Sequence, residues 1–376
     1  MTLHSDMDSF MHQYEKGKGG KNKSIPMGFN RLTKHVGLRG QVYYLIGGYT
    51  GSGKTTLVDD AFVLNPIYWN IRNKKINPIF ELKIIYFSQE RSKAYKIARW
   101  LSRTIFINEG IIIPINIIIG WEREPNKDEQ FWIDKYLPTI NQFFEEVIVM
   151  EEGPKKPGAM YKVIKDFAME RGEMVLREYQ RKDGSTYQKK VYVPNNPDEF
   201  VLIVVDTINL TEAEAQEDGR MMDDRQTINK ASMYMRLARD RFGYSPVVVS
   251  QFNREIANPI RLKNGDVQPQ LEDFSGSSGT QNDAEVIMAL FDPMRYKVQD
   301  VYGYDLEKLK EGANHPNPGS KKYRQLSILK NSYGTDDIGV GLGYQPQVGF
   351  FKELPWPDKM TDAIYETVLD NTFFVT

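Results

Sequence analysis

The chain has 376 residues, a formal net charge of −1, 40% hydrophobic and 26% charged residues, and no cysteine. It is long enough for one large α/β core with additions, and too apolar for a disordered chain. Disulfides and thiolate metal sites are excluded, the four histidines (His4, His12, His35, His315) lack ligand spacing, and any contact with nucleic acid must come from a local patch rather than from overall charge. No run approaches the ~18 apolar residues of a membrane span. The start Met1-Thr2-Leu3-His4-Ser5 lacks the order of a signal peptide, so a cytoplasmic protein without membrane contact is expected.

Residues 1–24 form a leader. Met7, Phe10, Met11 and Tyr14 fall at i, i+3, i+4 and i+7, one face of a short helix that packs on its own domain or docks on a neighbouring subunit. A basic, glycine-rich tether, Lys16 to Lys23, follows. Residues 25–376 are read as a single domain. The apolar run Val42 to Ile46 predicts a strand, and it leads directly into Gly48-Tyr49-Thr50-Gly51-Ser52-Gly53-Lys54-Thr55, which matches the phosphate-binding pattern GxxxxGK[ST]. In that pattern glycines let backbone N–H groups close around phosphates, Lys54 reaches the outer phosphate charge and the Thr55 hydroxyl ligates Mg²⁺. Thr55, Thr56 and Leu57 open a helix whose positive end faces the same anion. Gly48, Thr50, Gly51, Ser52, Gly53, Lys54, Thr55 and Thr56 are therefore the expected nucleotide contacts, with ATP or another nucleoside triphosphate as the ligand.

Further apolar runs, Ile84 to Ser88, Val147 to Met150, Val201 to Val205, Val247 to Ser250 and Val286 to Leu290, alternate with helical patterns and predict a mostly parallel sheet covered on both faces. Gln325 to Lys330 and Ile338 to Leu342 flank a polar turn and predict a terminal antiparallel hairpin. Residues 151–198 interrupt the rhythm. Met174 to Tyr179 and Tyr187 to Val193 bracket Lys182-Asp183-Gly184-Ser185, an inserted β-hairpin rich in charge.

Hydrolysis needs a second acid and a means of orienting water. Val201-Leu202-Ile203-Val204-Val205-Asp206 is a buried run ending in a carboxylate, which places Asp206 beside the magnesium at the carboxyl edge of the sheet. Ile84 to Glu90 ends another strand at the same edge, so Glu90 is either the general base or an acid that starts a helix. Val247 to Gln251 delivers a neutral amide there, able to sense a γ-phosphate. The segment after it, Phe252 to Gln281, is long and polar, as functional loops are.

Together these motifs resemble the motor domain of DnaB-type replicative helicases over most of residues 25–350. Ile25-Pro26-Met27-Gly28-Phe29, Phe87-Ser88-Gln89-Glu90, Ser250-Gln251-Phe252-Asn253-Arg254, Leu271 to Gly279 with Gln281 to Glu285, and Lys330-Asn331 with Gly334 occur in the family's order. The resemblance implies a RecA-like P-loop NTPase fold and an ATP-hydrolysing DNA helicase working as a homohexameric ring in a compact phage or plasmid form, aided by a loader or primase. It implies single-stranded DNA held by the loops after Asp206 and Gln251, with Arg254, Arg261, Lys263, Ser275, Gly276 and Ser277 as contacts. It also implies that Glu90 activates water, that Lys330 acts on the neighbour's γ-phosphate, and that the Met7 stripe docks on the adjacent protomer. Two positions depart from the family. Ser332 stands where the family has an arginine finger worth ~10³ to 10⁵ in rate, leaving Lys330 or Arg324 to substitute. Ser275 stands where the family has a basic residue, leaving backbone N–H groups near Gly276 and Ser277 to hold phosphate. A weakly hydrolysing nucleotide-binding assembly factor and a recombinase-like filament protein are the alternatives.

Overall fold

Strand β1 (Tyr44–Gly48) lies at the centre of a nine-stranded sheet of order β13-β12-β11-β8-β1-β7-β6-β2-β3. Its parallel neighbours are β7 (Ser245–Gln251) and β8 (Val286–Phe291), and β7 continues in parallel to β6 (Glu199–Asp206), β2 (Glu81–Ser88) and β3 (Ile148–Glu152). On the other side β8 is followed by antiparallel β11 (Tyr323–Asn331), β12 (Ile338–Gln345) and β13 (Phe350–Glu353). This computed structural model describes residues 11, 14–15, 17–18, 24–77, 80–181, 183–253, 261, 268–274, 278–296, 300–309 and 322–375.

Alternating side chains of the parallel strands feed two cores. Tyr44, Ile46, Ile84, Tyr86, Leu202, Val204, Val247 and Val249 face one layer, and Leu45, Ile85, Phe87, Ile203, Val205 and Val248 face the other. The first layer holds the phosphate-loop helix α1 (Lys54–Val58), which runs through a π-helical turn at Asp59–Leu64 into Asn65–Asn73, together with α2 (Lys93–Glu109) and α3 (Lys127–Glu146). The second holds α4 (Pro157–Glu170) and α5 (Asp224–Phe242). Local sequence sets the helix ends. Capping boxes Asn126/Glu129 and Asp223/Gln226 start α3 and α5, and left-handed Gly110 and Gly243 stop α2 and α5.

All the predicted strands are present. The first begins two residues later than its apolar run, because pairing with β7 and β8 starts at Tyr44 while the Tyr43 backbone is taken by Glu285. The inserted hairpin is β4 (Gly172–Gln180) paired with β5 (Thr186–Pro194), separate from the main sheet. A two-stranded pair, β9 (Asp300–Val301) and β10 (Tyr304–Asp305), the strand β13 and the helix α6 (Asp362–Leu369) were not expected from the sequence. They build a third core in which Phe106, Tyr304, Tyr323, Tyr365 and Phe374 meet, extending the sheet past the predicted terminal hairpin. Of the amino-terminal stripe, Met7 and Phe10 lie outside the described residues, and Met11 and Tyr14 are exposed.

Candidate functional site

The carboxyl ends of β1, β7, β6 and β2 open onto one crevice. Register brings Gly48 of β1 beside Gln251 of β7, and Asp206 of β6 beside Ser88 of β2, with the Gln89 N–H donating to the Asp206 carbonyl at 2.8 Å. Strand ends at this edge collect whatever side chains follow the apolar runs, which is why ligands bind there in open α/β sheets.

The loop from Gly48 to Lys54 is shaped by glycine. Gly53 has φ +99°, and a Cβ on Gly48 would lie 2.6 Å from the Leu290 carbonyl oxygen. The Ser52 N–H closes a turn onto the Tyr49 carbonyl at 3.1 Å. The Ser52 hydroxyl is buried and has no hydrogen-bond partner among the described residues, the state of a group shaped for an absent acceptor. Lys54 is buried, and its Nζ donates to the Tyr49 carbonyl at 2.9 Å. Burial pulls the Lys54 ammonium down to about 8, against the opposing pull of the Asp206 and Glu90 carboxylates.

Thr55 Oγ1 donates to Asp206 Oδ1 at 2.8 Å. A hydroxyl and a carboxylate oxygen so juxtaposed are hard oxygen donors of the kind Mg²⁺ takes, usually with several waters and substrate phosphates. The residues therefore fit that cation. Burial pushes the Asp206 carboxyl up, but the Lys96 ammonium and the Thr55 and Tyr86 hydroxyls outweigh it and hold the group below its ordinary value. Glu90 is exposed, 3.6 Å from Arg91. It does not start a helix, since α2 begins at Lys93 with Ser92 as its cap. Gln251 receives an oxygen from its neighbour, its N–H donating to Asn209 Oδ1 at 2.7 Å, while Thr207 donates to the Val249 carbonyl at 2.8 Å.

Around this centre the structure adds cations that the motifs did not indicate. Arg99 of α2 donates to the Thr56 hydroxyl, and Arg295 donates to the Thr50 carbonyl at 2.9 Å. Lys96 of α2 is fully buried between Asp59 and Asp206. A visible signal existed. Lys96 and Arg103, seven apart on the apolar face of α2, match the adjacent acids Asp59 and Asp60 of the π turn.

Several expected contacts are placed otherwise. Arg324 is buried in its own chain, donating to the Ser52 carbonyl at 2.8 Å beneath the Tyr344 ring and beside Asp292, a contact that supports the phosphate loop in cis. Lys330 is likewise held internally, donating to the carbonyls of Gln281 at 2.9 Å and Ala284 at 2.7 Å, where it satisfies the end of the helix Ser278–Asp283. Arg261 is paired with buried Asp273 at 2.5 Å and with the Gln268 carbonyl. Arg254, Lys263, Ser275, Gly276 and Ser277 lie outside the described residues. The loop after Asp206 carries Glu212, Glu214, Glu217, Asp218 and Asp223 against one Arg220, with Glu214 paired to Lys230 and Asp223 capping α5.

No family model matches the chain, and no curated protein sequence matches it. Among solved structures, the ATPase domain of G40P superimposes with a TM-score of 0.62 at 15% identity, covering 92% of this chain and 98% of that one. A DnaB-like replicative helicase, described with its interactions with primase, gives 0.63 at 16% identity over 92% of this chain and 67% of that one. At these identities the likeness establishes the fold, the RecA-like arrangement of DnaB-like helicase ATPase domains. Among the described residues no helix is long and apolar enough to cross a membrane.

Proposed function

We propose that this chain is an Mg²⁺-dependent ATPase of the replicative DNA helicase type, forming a ring that moves on single-stranded DNA in the cytoplasm with a loader or primase as partner. The observation that carries the reading is the Thr55–Asp206 contact beside the phosphate loop, with Glu90 two residues past the end of the strand paired with that of Asp206, in a fold shared with DnaB-like helicase ATPase domains. The loop N–H groups and Lys54 bind the triphosphate, and the unpartnered Ser52 hydroxyl gains an acceptor. Thr55 and Asp206 would hold the cation, which when bound would supply positive charge against the charge that develops during phosphoryl transfer. Glu90, exposed toward solvent yet within electrostatic reach of Lys54, accepts the proton of the attacking water. Gln251, on the strand beside the phosphate loop, passes nucleotide state to the loop that follows it. With the loop after Asp206 acidic, the DNA grip falls to that second loop, where Arg254 and Lys263 supply charge.

A second reading is favoured by one feature. Ser332 replaces the finger arginine while Lys330 and Arg324 are both engaged within their own chain, an arrangement suited to a nucleotide-binding assembly factor with feeble hydrolysis. Steady-state ATP turnover with and without single-stranded DNA separates the two. DNA-stimulated turnover that is lost in Lys54→Ala supports the motor, and negligible turnover in both proteins supports the factor. Electron micrographs with a non-hydrolysable nucleotide test the ring, since open filaments in its place point to a recombinase-like protein.

A further inference from the structure

Lys96 belongs to no part of the nucleotide pattern, yet it is the most enclosed cation around the site, with no solvent exposure. Its Nζ lies 3.1 Å from both carboxylate oxygens of Asp59, 3.0 Å from Asp206 Oδ2, and within hydrogen-bond distance of the Tyr86 hydroxyl. The Tyr86 hydroxyl donates in turn to Asp59 Oδ1 at 2.8 Å and reaches Asp206 Oδ2 at 3.3 Å. Four elements meet at this point: the π turn of the phosphate-loop helix, β2, α2 and β6.

The two oxygens of Asp206 are thereby divided. Oδ2 is occupied from behind by Lys96 and Tyr86, and Oδ1 is left toward Thr55. A carboxylate at a strand end turns about a broad, two-fold χ2 and is otherwise free to present either oxygen or both. Two buried acids in one pocket also repel unless a cation lies between them. One ammonium solves both problems. It further ties Asp206 to α2, whose cap Ser92 follows Glu90 by two residues.

We propose that Lys96, braced by Asp59 and Tyr86, is a positioning residue that fixes Asp206 Oδ1 toward Thr55 and so sets the affinity of the site for its divalent cation. The proposal rests on the nucleotide reading above, and the experiment keeps the two apart. Binding of a fluorescent ADP analogue is titrated with Mg²⁺, and separately measured in EDTA, for the wild type, Lys96→Met/Asp59→Asn and Tyr86→Phe. The double variant removes the cation and its private counter-ion together, so no uncompensated charge is left by Asp59. Orienting partners of metal ligands are worth about 10- to 100-fold in metal affinity. The Mg²⁺ midpoint is expected to rise by about that factor in the double variant, and by a smaller factor of about 3 in Tyr86→Phe, which loses a hydroxyl shared between Asp59 and Oδ2. Affinity in EDTA should stay within about two-fold, because the loop and Lys54 are untouched, and a purely structural role would change both measurements together. Wild-type Mg²⁺ midpoints in a folded double variant overturn the positioning role. Should the double variant fail to melt cooperatively, an unchanged midpoint in Tyr86→Phe does the same. A wild type that shows no Mg²⁺-dependent nucleotide binding overturns the nucleotide reading and this proposal with it.

Discussion

The crevice and the inserted ribbon are both rich in charge, and they treat it in opposite ways. At the crevice Lys54, Asp59, Asp60, Lys96, Arg103, Asp206 and Arg324 are all buried, and all but Lys54 are ion-paired. On the ribbon Glu173, Lys189 and Lys190 are exposed, and Met174 and Leu176 join them at the surface. The ribbon's base is anchored, where buried Tyr192 donates to the Ala168 carbonyl at 3.0 Å and packs against Phe242 and Tyr244. Charge taken out of water must be matched by a partner or it is costly, whereas charge left in water is worth little either way. The crevice is thus a place where single substitutions matter, and the ribbon is a place where they do not.

The largest effect is expected at Glu90. Glu90→Gln keeps size and hydrogen bonding but loses the base, so turnover should fall by about 10² to 10⁴-fold while nucleotide affinity is retained. Single-turnover hydrolysis set beside equilibrium binding checks this, and equal losses in both would place Glu90 in binding instead. Next comes Arg103→Met, which strands Asp60 in the core. Asp60 accepts from Arg103 and from the Phe351 N–H at 3.0 Å, and loss of the cation should cost about 3 to 5 kcal/mol in urea unfolding. A cost below 1 kcal/mol would erase the distinction drawn between the two regions. Arg324→Ala removes the donor to the Ser52 carbonyl. Because that bond is charge-assisted and buried, about 1.5 to 3 kcal/mol of nucleotide affinity should be lost, read by calorimetric titration. The smallest effect is expected on the ribbon. Replacing residues 176–190 with Asn-Gly joins the paired Val175 and Val191 by a two-residue turn, and both stability and nucleotide affinity should stay within about 1 kcal/mol. A large drop in DNA-stimulated turnover in that variant, with binding intact, would give the ribbon a role in partner or DNA contact.

Much of the site was readable from local pattern. A glycine-rich loop after an apolar run, and carboxylates that close apolar runs, are signatures carried by adjacent residues, and for that reason Lys54, Thr55, Asp206 and Glu90 could be named before their geometry was seen. The strands followed from the same runs, because burial on both faces demands continuous apolar sequence. The short strand β13 and helix α6 escaped, since four residues at Phe350–Glu353 are stabilised by the aromatic cluster beneath them and hardly by their own pattern. The cations were the least legible. Arg261, Arg324 and Lys330 each read as free charges, and each is engaged by an acid or carbonyl at least 12 positions away along the chain or in another element.

The amino-acid order alone determined which segments become strands, where the phosphate loop lies and which acids end up at the sheet edge, because these depend on period and on immediate neighbours. Only the tertiary structure decided the partners of the buried charges. Lys96 lies 37 residues from Asp59 and 110 from Asp206. Pairings at such separations arise when packing removes water and leaves each charge to find its partners among the groups the fold brings within reach.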